Sequence, residues 1–86
     1  MHWESAEGRL ISHGRTIMTS DQIVLRRERI DKQRGYRAYI PNAPAASALR
    51  RRTRTLLRLD DGRCGWFIVT DRQAALLCLR SEGAFR

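Results

Sequence analysis

Arg50, Arg54 and Arg58 recur at every fourth residue, a spacing that gathers three guanidinium groups on one side of the chain in either regular conformation. In a strand all three are even-numbered and point to one face; in a helix they fall within about 80° of one another. A guanidinium makes paired hydrogen bonds to phosphate and stacks on bases. A ridge of three would therefore hold a nucleic-acid backbone and release its counterions. Arg52 joins the ridge if the segment is a strand, Arg51 if it is a helix. A second basic piece, Lys32, Arg34 and Arg37, is interleaved with Tyr36 and Tyr39, the mixture that single-strand binders use for stacking and phosphate contact. Tyr36 shares its side with Ala38 and Ile40 and reads as core. Tyr39 shares the side of Arg37 and is the candidate stacking residue.

These two pieces hold the whole net charge. From Lys32 to Leu59 there are eight basic residues and no Asp or Glu, whereas outside that window nine arginines face nine acids. The formal charge of +8 thus belongs to a segment. A concentrated positive field raises the local concentration of polyanions, while a surface built only for solubility intersperses both signs. The preference for arginine over lysine carries less weight, since GC-rich coding favours Arg and Ala together.

Other chemistries find no support. Asp60 and Asp61 are adjacent and read as solvated turn residues, not as an acid–base pair. A nucleophile–His–acid set would have to use His2 or His13, and no Gly-x-Ser-x-Gly elbow is present. Gly62 and Gly65 lack the Lys-Ser/Thr that completes a phosphate loop. Arg50-x-x-x-Arg54 followed by Asp60-x-Gly62-x-x-Gly65 is not the cyclic-dinucleotide motif of PilZ domains, because its halves lie too close together and glycine stands in place of serine. Cys64, Cys78, His2 and His13 show no paired metal spacing, and two cysteines are few for a small secreted domain, so they read as reduced thiols. No catalytic residue, metal or cofactor is expected, and the chain reads as non-enzymatic.

Eighty-six residues with 42% hydrophobic and 30% charged composition describe one small globular domain with a modest core. No apolar run approaches the roughly 20 residues of a membrane span, and Met1–Glu4 lacks the features of a signal peptide. A cytoplasmic protein is expected, with a loose leader over 1–8 and a compact domain over 9–86.

The elements that must position the arginines follow from alternation and turn chemistry. His13-Gly14 between short apolar runs marks a bend or hairpin. Thr19–Gln22 reads as a turn or capping box, Ile23–Ile30 as a strand, Asp31–Gly35 as its turn, and Tyr36–Ile40 as the return. Ala45–Leu49 suits a short helix begun at Pro44. Arg50–Leu59 reads as a strand entering the turn Asp60–Arg63, or else as a continuation of that helix. Trp66–Val69 is a strand, Thr70–Gln73 a turn or capping box, and Ala74–Leu79 a last strand or short helix. Ile17–Gln22 and Ile68–Gln73 are alike at an offset of 51 residues.

The expected architecture is mainly β: a single small antiparallel meander or SH3-like barrel of about six strands. The alternative is α+β, with an amphipathic helix over 44–59 packed on the sheet. Trp66, Phe67, Ile68, Val69, Leu76, Leu77, Leu79, Leu57 and Ile40 should supply the core. The C-terminal apolar runs would be buried on both faces, which points to a helix cover or a homodimer interface. The expected partner is a polyanion, DNA or RNA before an acidic protein surface, and not a membrane. The alternative function is a small regulator or inhibitor that docks on such an acidic surface.

Overall fold

Period-two alternation governs the strands of this chain between their bulges. Thr55, Leu57 and Leu59 are buried while Arg54 and Arg58 are exposed; Phe67, Val69, Leu77 and Leu79 are buried from the two strands that follow. A sheet that buries one face, with no helix among the described residues to cover it, can bury that face by curling on itself, and here it closes. The computed structural model describes residues 2–30, 32–43, 49–73 and 75–86. They form six antiparallel strands: β1 (His2–Ser12), β2 (Arg15–Ile30), β3 (Gln33–Ile40), β4 (Arg54–Leu59), β5 (Cys64–Gln73) and β6 (Leu76–Phe85). The barrel runs in the order β1-β2-β3-β6-β5-β4, so it is two three-stranded meanders joined edge to edge. The mainly-β small barrel expected from the sequence is the fold observed.

No helix occurs among the described residues, hence none long and apolar enough to cross a membrane. The helix alternative over 44–59 gives way to a turn at Arg51-Arg52 and strand β4. Its first part, like the short helix at Ala45–Leu49, lies largely on residues 44–48, outside the described ones.

Turn residues mark two different structures. His13 and Gly14 both have positive φ, 52° and 75°, as a two-residue hairpin turn requires. Thr19–Gln22 and Thr70–Gln73, however, are not turns or caps. Both are strand, and both sit at β-bulges: between Ala6↔Ile23 and Gly8↔Ser20, β2 carries one residue more than β1, and between Val69↔Leu79 and Asp71↔Cys78, β5 carries one more than β6. The two similar hexapeptides are thus the bulged stretches of the central strand in each meander. Bulges sharpen twist and bend, which six strands need in order to close. The β2–β3 turn is also tighter than Asp31–Gly35, because β3 begins at Gln33.

The leader expected over 1–8 is strand from His2 onward, paired with β2 from His2↔Arg27. Its hydrogen bonds to β2 and the contact of Trp3 with Tyr39, at 6.0 Å between ring centroids, hold it in the sheet. Burial corrects part of the expected core as well. Trp66 is 42% exposed, and Ile68 and Leu76 are only half-buried. They alternate with Phe67, Val69 and Leu77, and a strand can turn only one set inward. The C-terminal runs therefore bury one face, not two. At the lower end of the barrel, where β1 begins and β6 ends, Phe85 packs edge-on against Phe67 and Tyr36, each 5.2 Å away.

Closure depends on a short seam in which Gly8–Ile11 pair with Leu59–Leu56. A Cβ at Gly8 would fall 2.9 Å from the Leu59 Cα and closer still to the Arg58 carbonyl oxygen. Gly8→Ala should therefore destabilise the fold by about 1–3 kcal/mol, the usual cost of overpacking. Urea denaturation would show this as a lower midpoint at unchanged slope; an unaltered midpoint would mean that the seam yields freely.

Arg63 latches the lower end. Its guanidinium makes paired bonds of 2.8 Å to both Glu4 oxygens and a 2.9 Å bond to Asp61. The Arg63 hydrogen bonds hold the Glu4 and Asp61 carboxyls below their ordinary values. A carboxyl lowered by folding stabilises fully above its unfolded pKa, and that contribution disappears as pH falls through the lowered value. Wild-type and Arg63→Gln should accordingly differ in melting temperature at pH 7 and converge as pH drops below about 4.5, the ordinary Glu value; a gap that persists at lower pH would sink this account.

Candidate polyanion-binding face

Strand register sorts the arginines by place on the barrel. The two basic pieces read from the sequence do not form one patch. Lys32 and Arg34 lie on a β2–β3 hairpin that projects past its neighbours at the lower end: the last β1 partner on β2 is Arg27, and the last β6 partner on β3 is Arg37. Arg50, Arg51 and Arg52 precede β4 at the upper end. The three-arginine ridge is not present either. Arg54 and Arg58 share the outer face of β4, with half-buried Leu56 between them, but Arg50 lies before the strand begins. Strand geometry breaks at Arg52, whose φ is 70° and whose backbone N–H donates to the Val69 carbonyl. Arg50 and Arg51 instead line a depression of about 480 Å³ with Leu49, Val69, Asp71 and Arg72, where Arg51 Nε donates to the Thr70 carbonyl at 3.2 Å.

What the fold brings together is a cross-strand row on the outer surface. Trp3 faces Arg26, Arg26 faces Arg37, Arg37 faces Arg80, Arg80 faces Ile68, and Ile68 faces Arg54. Of these arginines, only Arg37 and Arg54 come from the acid-free window. Tyr39 sits beside the start of the row, half-buried against the Trp3 ring. Arg26 lies over the Trp3 ring at 5.3 Å and Arg54 over the Trp66 ring at 4.4 Å. On the far side of Trp66, Arg58 faces Arg9 across the seam; both are exposed.

Acids absent from the window in sequence reach it in space. Glu28 pairs with both Arg26 and Arg37, and Glu82 pairs with Arg54 at 2.7 Å. Burial alone would raise the Glu28 carboxyl, but the Arg37 and Arg26 guanidinium groups outweigh it and hold the carboxyl below its ordinary value. Arg26 keeps one buried Nε–H without a hydrogen-bond partner. No ion pair engages Arg9, Arg58 or Arg80 among the described residues.

Arg9, Arg26, Arg80, Trp3 and Trp66 were not singled out as site residues from the sequence, because each lies outside the acid-free stretch or within an apolar run. One signal was present: Trp66 and Phe67 are neighbours, so one of them must point outward. Chemically, the face offers guanidinium groups for oxyanions and two exposed indole rings. It offers no nucleophile–base pair, and among the described residues no cluster of three metal-ligating side chains occurs. Cys64 and Cys78 are free thiols; burial pushes the Cys78 thiol up, away from the reactive thiolate form. No protein-family model, curated protein or solved structure matches the chain.

Glu28→Gln would release two guanidinium groups from internal pairing. The variant should elute from a heparin matrix at higher salt than wild-type. Elution at equal or lower salt would show that Arg26 and Arg37 do not face the heparin.

Proposed function

We propose that this chain is a non-enzymatic module that holds the phosphate backbone of a nucleic acid with little sequence specificity. One observation carries the reading: four strand registers oppose arginine to arginine, Arg9↔Arg58, Arg26↔Arg37, Arg37↔Arg80 and Arg29↔Arg34. Opposed like charges work against a sheet on roughly the same 0.2–1 kcal/mol scale as favourable pairs work for it. Glu28 relieves one of the four internally. The others are relieved by an anion supplied from outside, and a repeating anion matches a repeating row. Arg54 and Arg58 remain from the sequence-derived ridge, joined by Arg9; Arg37 acts within the row; Lys32 and Arg34 extend the field at the hairpin tip.

Each phosphate neutralised adds about 0.9 to the salt dependence of binding for a duplex and about 0.7 for a single strand. Arg9→Gln and Arg58→Gln should each lower the slope of log K against log salt by about one of these increments, with similar losses across unrelated sequences. Fluorescence anisotropy with labelled oligonucleotides reads this directly. Absence of binding to both DNA and RNA at low salt would remove the proposal.

Leu56 and Ile68, half-buried beside exposed Trp66, favour a second reading, in which the same face docks on an acidic protein. Co-purification with a defined protein after nuclease treatment would support that reading over the first.

A further inference from the structure

We propose that the polyanion is a single-stranded nucleic acid, which winds around the barrel along the Trp3–Arg26–Arg37–Arg80–Ile68–Arg54 row and stacks bases on Trp3 and Trp66. This rests on the phosphate-binding reading above and narrows it to one class of ligand.

Curvature is the first reason. The row crosses all six strands, five spacings of about 4.8 Å each, on a body only 31 × 25 × 23 Å. It turns with the barrel wall and rises from the lower end at Trp3 to the upper end at Arg54. A duplex, with a persistence length of about 50 nm, touches such a curved path over only two or three strands. A single strand bends within a few nucleotides and can follow all of it.

The second reason is the treatment of the two tryptophans. They are the only tryptophans of the chain and the only large hydrophobic residues that the fold leaves exposed among the described residues, Trp3 by 55% and Trp66 by 42%. Each is placed by the same three-part arrangement. A guanidinium lies over the ring, Arg26 for Trp3 and Arg54 for Trp66, and a carboxylate pairs with that guanidinium, Glu28 and Glu82 respectively. The carboxylate fixes the arginine and the arginine fixes the indole, so the ring is presented in one orientation while much of it stays open to solvent. Tyr39 widens the Trp3 platform.

The third reason is the charge count along the row. Four arginines meet two carboxylates there, so charge alone does not favour the row over the unneutralised Arg9–Arg58 pair. Exposed rings at both ends of the row, Trp3 under Arg26 and Trp66 under Arg54, instead match a ligand that carries bases as well as phosphates.

The test compares four probes by anisotropy and by intrinsic fluorescence: an oligothymidylate of about ten nucleotides, a duplex of equal length, inorganic polyphosphate, a flexible polyanion without bases, and polyglutamate, a flexible polycarboxylate. Trp3→Phe and Trp66→Phe each leave one tryptophan as the sole indole reporter. In both, the oligothymidylate should quench that reporter, and phenylalanine should preserve most of the affinity. Trp3→Ala and Trp66→Ala should each weaken oligothymidylate binding about ten-fold while polyphosphate binding changes less than about two-fold, and wild-type should favour the single strand over the duplex by about ten-fold. Far-ultraviolet dichroism confirms that the alanine variants remain folded; should one unfold, quenching of that same tryptophan as the sole reporter in the other phenylalanine variant decides. Equal single-strand and duplex affinities with silent tryptophans would overturn this inference and leave phosphate binding standing. Polyglutamate binding as tight as oligothymidylate would overturn it in favour of an acidic protein. Failure of all polyanions to bind at low salt would remove both proposals together.

Discussion

Everything on the outer surface depends on how the barrel closes. The seam between β1 and β4 holds four residue pairs, and Gly8 permits it because two backbones approach where no side chain fits. A closed sheet must tilt its strands, and the hydrogen-bond stagger that results makes cross-strand rows climb as they circle the wall. Trp3, near the start of β1, and Arg54, at the start of β4, therefore belong to one row although they occupy opposite ends of the barrel. In a flat sheet the same residues would form a straight stripe. The bulges of the central strands β2 and β5 contribute to the same end by adding the twist that brings the edge strands together.

Electrostatics is arranged on top of that frame. Arginine is opposed to arginine at four registers, yet carboxylates are placed with economy: Glu28 serves two guanidinium groups, Glu82 one, and Glu4 and Asp61 share Arg63. The Arg63 cluster lies at the rim and ties the first strand to the β4–β5 turn, so it acts on the fold. Glu28 and Glu82 act on the row, where they orient arginines over aromatic rings and moderate the local charge. Arg9 and Arg58, opposed within the seam, enter no ion pair among the described residues.

Much of the fold was legible in the sequence because burial in a small barrel is written in single residues. Tyr36, Ala38 and Ile40 alternate against Arg37 and Tyr39, and Thr55, Leu57 and Leu59 against Arg54 and Arg58; both patterns hold. His13-Gly14 and Asp60–Arg63 form the turns their chemistry suggests. Thr19–Gln22 and Thr70–Gln73 were harder, since a bulge and a turn draw on the same small polar residues and differ only in whether the partner strand continues. In the run Trp66–Val69 every residue is apolar, so hydrophobicity could not say which pair faces inward. The bulkier Trp66 went outward, and Phe67 took the core beside Phe85.

The candidate site divides along the same line. Sequence by itself determined that the chain carries an excess of arginine, that Arg54 and Arg58 share a face in strand or helix, and, by period-two alternation, that Tyr39 lies with Arg37; it favoured a small mainly-β domain and left a helix over 44–59 open. Only the tertiary structure decided that Arg50–Arg52 and Lys32 stand at opposite ends, that Glu28 and Glu82 reach into the acid-free window, and that Arg26, Arg37 and Arg80 form one row with Trp3. The reason is physical. Alternation is a property of a single strand, whereas register between strands is set by turn lengths, bulges and the stagger of closure, and these place side by side residues that are far apart along the chain.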